Sequence, residues 1–278
     1  MTWNRLAGNL TTWRWWYVLP MLVLLPVASG VATLVGILSG GGAGALAWTG
    51  PLTFLLLAAF GLIAVRLMSR RWPTSADLGL RSGLSRRDIV VVLAVFVVSH
   101  ALYWVLGKAG SGSELTSAEK LFADSGLTGP LPAVLATVIA SVILAPVVEE
   151  LVYRGIILRI LHDSLIARLS SAVAASIAVV VSALAFALPH LGGSPTGIDA
   201  LAYILTGLFF GVAYVLTGSL TATMVSHSLQ SMAAFGQILI FGRGDADVSP
   251  IVWILVFGCP VWVYLCARGL AALLPGRD

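Results

Sequence analysis

The residues of this sequence with the clearest chemical potential are Glu149, His190 and His227. They occur in Val-Val-Glu149-Glu150-Leu-Val-Tyr-Arg154, in Phe186-Ala-Leu-Pro-His190 and in Met-Val-Ser-His227-Ser-Leu-Gln230-Ser231, each in or at the end of a long apolar run. A charge near the centre of a bilayer costs at least ~2.5–3.5 kcal/mol, so such residues face other helices or a water-filled cavity. Peptide hydrolysis needs an activated water, a group to hold the oxyanion and a proton for the leaving amine. One glutamate and two histidines can supply all three. The same Glu149, His190 and His227 also form a three-ligand zinc set with an open fourth position. No His-Glu-x-x-His pattern forces a metal reading. The reading adopted is metal-free hydrolysis with no cofactor, with zinc as its alternative.

Spacing divides the acidic pair. Glu150 and Arg154 are four residues apart, share one helix face and can pair. Glu149 points about 100° away from Glu150, which leaves it free to react. On its own the motif would equally suit a structural ion pair near the cytoplasmic interface. Phe186 lies one turn before His190, placed to pack beneath the imidazole. His100 has no acidic neighbour on its helix and reads as structural. His162, beside Asp163 and near Arg159 and Arg168, reads as interfacial.

Taken in order, Glu-Glu-x-x-x-Arg, Phe-x-x-x-His and the second histidine resemble the CPBP family, which comprises type II CAAX prenyl endopeptidases and the Abi bacteriocin-immunity proteins. The resemblance covers residues from about 131 to 241. It implies that Glu149 is the catalytic glutamate, that His190 helps it activate water, and that His227 stabilises the oxyanion. Members usually place Asn or Asp four residues after the second histidine. Here Ser231 stands there, with Gln230 adjacent. Ser231 shares a helix face with His227 and can donate through its hydroxyl, and Gln230 can offer an amide. The implied activity is an intramembrane endopeptidase acting on a membrane-associated or lipidated protein or peptide. A non-catalytic immunity or scaffold protein is the alternative that Ser231 supports, and a transporter finds less support because few other polar residues line the helices.

These residues have to be positioned by membrane helices. Of 278 residues, 59% are hydrophobic and only 10% charged, against about a quarter charged in soluble domains. A span needs ~20 apolar residues. Eight runs qualify, at 17–39, 46–66, 88–107, 131–158, 171–189, 200–217, 219–241 and 250–273, so the fold class is an all-α polytopic bundle of about eight transmembrane helices. Residues 1–130 then carry helices one to three, 131–241 the catalytic core, and 242–278 the last helix and tail. The net charge of +4 does not point to nucleic acid, because the basic residues lie between apolar runs. With the N-terminus inside, Arg5, Arg14, Arg66, Arg70, Arg71, Arg81, Arg86, Arg87, Arg154, Arg159, Arg168, Arg268 and Arg277 are cytoplasmic, and only Lys108, Lys120 and Arg243 are outside. That asymmetry predicts a plasma-membrane protein with both termini cytoplasmic and lipid as its surroundings.

Lesser features follow. Trp13, Trp15 and Trp16 precede the first run as an aromatic belt, which predicts an uncleaved first helix. Residues 67–87 form a basic inner loop and residues 108–130 an outer loop with Glu114, Glu119 and Asp124. Gly36 with Gly40 and Gly207 with Gly211 have the spacing of close helix packing. Cys259 and Cys266 read as packing residues too far apart on one helix for a disulfide. The run boundaries put His190 near the outer end of its helix and Glu149 deeper, so the two meet only if the fifth helix is shifted, tilted or broken near Pro189 and Gly192-Gly193.

Overall fold

The computed structural model describes residues 4–6, 10–109, 122, 125–191 and 197–275. Most of the expected outer loop, with Glu114, Glu119, Lys120 and Asp124, lies outside the described residues, as do Gly192 and Gly193. The described residues form helices and no strands. The long ones are α1 (Val18–Leu38), α2 (Thr49–Ser69), α3 (Arg86–Ala109), α4 (Leu131–Leu165), α5 (Ser171–Ala187), α6 (Gly197–Thr217), α7 (Leu220–Phe241) and α8 (Pro250–Leu273).

Among the described residues, seven helices are long and apolar enough to cross a membrane. The eighth expected span, α7, is long enough but carries Thr221, Thr223, Ser226, His227, Ser228, Gln230 and Ser231. It still traverses the bundle. The Arg81 amide and carbonyl bond the Thr221 side chain at the start of α7, and the Ser75 amide bonds the Pro275 carbonyl just after α8. Both contacts involve the same 70–85 connection, so α7 begins where α8 ends and has to run to the opposite side. Leu220 to Ser228 are all buried by neighbouring helices. A helix wrapped by protein does not need a lipid-compatible surface. The outer helices do, and α1 exposes Leu19, Leu22, Val23, Val27 and Leu34 while burying Met21, Ala28 and Ala32.

α4 is the axis of the fold. It runs 35 residues, past the expected end at 158, and is not a uniform helix. Segments Ala140–Leu144 and Leu151–Leu158 have wider π-type turns, which flank the α-helical Ala145–Glu150. Such insertions often sit at functional sites. The extra length removes the expected mismatch between Glu149 and His190. Measured from the α4–α5 connection, both lie about 25–30 Å along the chain's helical path at ~1.5 Å per residue, and α5 gives way at Leu188, next to Pro189. Beyond α5 a short 3₁₀ turn, Leu188–Leu191, carries His190.

α5 and α6 touch at small residues. A Cβ on Gly207 would fall 2.8 Å from the Ala183 Cα, and one on Gly211 would fall 3.0 Å from Val179. Gly36 likewise abuts Thr49, but Gly40 does not pack: it takes φ +108° in open space. That position is a turn, which glycine enters without steric cost.

Residues expected at or beyond the cytoplasmic interface turn out to be interior. Arg154, Arg159 and His162 are 0–1% exposed. The Asp163 carboxylate accepts from Arg159 Nε at 3.0 Å, His162 Nδ1 at 2.7 Å and the Thr11 amide at 2.7 Å. Asn4 Nδ2 lies 2.9 Å from the other nitrogen of His162 and donates to Ser171 Oγ at 2.8 Å. The chain's first described residues therefore close over the α4–α5 connection, and His162 is a buried structural histidine, not an interfacial one. Of the cysteines, Cys259 is buried with its thiol 3.2 Å from the Ser228 carbonyl, and Cys266 is exposed; both are free.

Candidate active site

Glu149, His190 and His227 line one open cavity of about 890 Å³, in the range of small-ligand sites. Its walls come from six helices and the His190 turn. Glu149 and Ser141 are on α4, Phe186 on α5, Tyr203 and Thr206 on α6, and His227, Gln230 and Ser231 on α7. Phe54 of α2 and His100, Tyr103 and Trp104 of α3 complete it.

Beneath the cavity lies the ion pair expected from spacing. Arg154 Nη1 donates to Glu150 Oε1 at 2.9 Å, with both side chains fully buried. The second guanidinium nitrogen, Nη2, donates to the Gly207 carbonyl at 2.9 Å. Rings close the guanidinium off from water, with Phe186 4.6 Å and Phe210 5.4 Å from its centre. Arg154 thus holds α6 at the point where Gly207 lets α5 approach, so the pair and the glycine form one unit.

Glu150 has a second role that spacing does not reveal. His227 Nδ1 lies 2.9 Å from the same Glu150 Oε1. A carboxylate only accepts, so Nδ1 carries the hydrogen. The His227 ring stacks on Phe210 at 4.7 Å and 24°, which fixes its plane. Its Nε2 then points to Glu149, 3.9 Å from Oε2. With the Nδ1 hydrogen committed, Nε2 can donate only as imidazolium.

His190 is held differently. Its Nδ1 donates to the Phe186 carbonyl at 2.9 Å, since a carbonyl can only accept. The ring lies over Phe186 at 5.0 Å and stacks on Tyr203 at 4.6 Å and 27°. Its Nε2 therefore offers a lone pair. Glu149 is 8% exposed and accepts no hydrogen bond among the described residues, so its carboxylate is turned to the cavity and free to meet water.

Ser231 lines the cavity one turn beyond His227. Gln230 also reaches it, but its amide donates to Ser99 of α3, so it is a link between helices as well as a lining group. The residues that sequence reasoning missed are Ser99, His100, Tyr103, Tyr203 and Phe210. His100, taken as structural, faces the cavity. A usable signal existed: Phe96-x-x-x-His100 repeats the spacing of Phe186-x-x-x-His190. Among the described residues no three of His, Cys, Asp and Glu are grouped so as to hold a metal ion.

A polytopic helical membrane protein with a buried Glu–Arg–His cluster opening on a cavity is the class that fold and site define. Residues 131–233 match the family model for type II CAAX prenyl endopeptidase, Rce1-like. That segment is similar to the CPBP family of intramembrane proteases, and it carries Glu149, His190, His227 and Ser231. No curated protein and no solved structure matches the chain.

Proposed function

We propose that the protein is an intramembrane endopeptidase that hydrolyses a membrane-associated or lipidated peptide without a metal. The observation that carries this reading is Glu149, a carboxylate that accepts no hydrogen bond among the described residues, lies 3.9 Å from His227 Nε2 and faces the same cavity as His190 and His227. Glu149 takes one proton from water, and His190 Nε2 accepts a hydrogen bond from the O–H that remains and aims the oxygen. The water oxygen bonds to the scissile carbonyl carbon, and the carbonyl electron pair moves to its oxygen. His227 Nε2–H receives that oxyanion, its ring steadied by Glu150 and Phe210. Ser231 adds a hydroxyl from the next turn. When the intermediate collapses, the C–N bond breaks and the proton on Glu149 goes to the departing nitrogen. Residues 131–241 are the catalytic core in this reading, with the flanking helices completing the cavity.

The basic segments gather at the end of the bundle that holds Arg81, Thr217 and Pro275, and this end is taken as cytoplasmic with both termini there. Single cysteines at exposed Gly83 and Arg243 should label from opposite sides of plasma-membrane vesicles. Labelling from one side overturns the topology.

The direct test uses purified protein in detergent with a quenched fluorescent peptide bearing S-farnesylcysteine. Cleavage that is lost in Glu149→Gln and unaffected by a chelator is expected. Cleavage abolished by the chelator and restored by zinc overturns the metal-free mechanism. Absence of cleavage for farnesylated and unmodified peptides alike overturns the enzyme reading in favour of an immunity or scaffold protein, the alternative that Ser231 suits.

A further inference from the structure

α3 lies outside the matched segment, yet it presents a polar face to the cavity. In an otherwise apolar stretch it carries Ser99, His100 and Tyr103. Two of these lock the helix to its neighbours. Ser99 accepts from Gln230 of α7, and Tyr103 bonds the Thr206 hydroxyl of α6. The Thr206 hydroxyl donates to the Ala202 carbonyl at 2.8 Å, so Tyr103 is the donor in their bond. With both contacts made, α3 cannot rotate, and His100 is held toward the cavity it lines.

His100 is prepared as His190 is. Its Nδ1 lies 2.8 Å from the Phe96 carbonyl and so carries the hydrogen. The ring lies 4.2 Å from Phe96 and edge-on to Tyr103 at 6.1 Å. Its Nε2 lone pair has no partner among the described residues. A membrane-embedded imidazole with a fixed tautomer and an unused acceptor facing a cavity is a functional group by default. The step described above already accounts for every proton, so His100 is not needed for chemistry. It supplies an imidazole acceptor on the α3 wall of the cavity.

We infer that His100 is a substrate-positioning residue whose Nε2 accepts a hydrogen bond from a backbone amide N–H of the bound peptide. This rests on the endopeptidase reading for the identity of the ligand. Losing one neutral hydrogen bond corresponds to about a 2- to 12-fold loss of affinity.

The test separates binding from cleavage. A fluorescently labelled farnesylated peptide is titrated into Glu149→Gln protein and into the same protein with His100→Ala or His100→Gln. Affinity should fall about 2- to 12-fold in His100→Ala and recover at least partly in His100→Gln, which restores an acceptor. A series of peptides, each N-methylated at one amide, should contain one that binds Glu149→Gln protein weakly but is not further weakened by His100→Ala. On the active background, His100→Ala should raise KM and leave kcat within about twofold. Unchanged affinity in His100→Ala, no non-additive amide, or a kcat loss at constant KM each overturns the assignment. Peptide binding without cleavage by the unmodified protein overturns the proposed function and leaves this assignment standing. Absence of peptide binding to the Glu149→Gln protein overturns the assignment.

Discussion

Replacing Glu150 and Glu149 in turn by glutamine should separate a structural carboxylate from a reactive one, although the two are adjacent in the chain. Glu150 accepts from Arg154 and from His227 at 2.9 Å each, and it is fully buried. Glutamine there keeps an acceptor oxygen but removes the charge, leaving the enclosed Arg154 guanidinium without its ion-pair partner, among neutral oxygens and two aromatic faces. Breaking one side of a buried ion pair costs about 3–5 kcal/mol, against a total stability of roughly 5–15 kcal/mol for a typical domain. Glu150→Gln should therefore lose a large fraction of folded protein. Glu149 makes no hydrogen bond among the described residues and lies 3.9 Å from His227. Glu149→Gln should change stability by under about 1 kcal/mol while abolishing cleavage. The assay is the unfolding midpoint in SDS titration of protein in mild detergent, with monodispersity as a second readout. Equal destabilisation by the two substitutions, or a silent Glu150→Gln, would refute the division of roles.

Three further outcomes are expected. His227→Ala should lower turnover by ~10²–10³ with little change in KM, because an oxyanion donor acts as charge develops; Ser231→Ala should be milder, and Ser231→Asn should keep or raise activity in the same peptide assay. Gly207→Ala places a methyl 2.8 Å from the Ala183 Cα, a backbone atom that cannot move aside, so it should destabilise by about 1–3 kcal/mol and also reduce cleavage by shifting the carbonyl that holds Arg154; a stable, fully active variant would contradict the α5–α6 contact. In the 70–85 connection, burial opposes charge on Asp77, but bonds from Arg71 and from Thr74 outweigh it and hold the carboxyl below its ordinary range. A lowered folded value means the contribution is complete above about pH 4 and is lost as pH falls through the depressed value. The stability difference between the unmodified protein and Asp77→Asn should thus be flat from pH 6 to 8 and shrink in strong acid, and a difference that grows on acidification would reverse the assignment.

Much of the site could be read along the chain because membranes make polar residues informative. Glu149, Glu150, Arg154, His190 and His227 stand out against apolar runs, and a four-residue spacing was enough to pair Glu150 with Arg154. Phe186 under His190 and Gly207 with Gly211 followed from the same helical geometry. These are local relations, set within one or two turns of a single helix. The class of fold followed from hydropathy alone, since the cost of unpaired backbone in hydrocarbon leaves helices or closed barrels as the spanning structures.

Tertiary structure decided whatever depends on distance between helices. Glu150 also orients His227 because α7 crosses α4 there, which no spacing along either helix encodes. α7 is below the apolarity of a span since its polar residues face protein, and only packing shows that. His162 and Arg159 moved from an expected interface to a buried cluster because the N-terminal residues fold over them, a contact between Asn4 and His162 separated by 158 positions. The same reason applies to His100. Its own helix holds no acidic partner, so sequence reasoning set it aside, and it joins the cavity only because Ser99 and Tyr103 fasten α3 to α7, which carries His227, and to α6, which carries Tyr203.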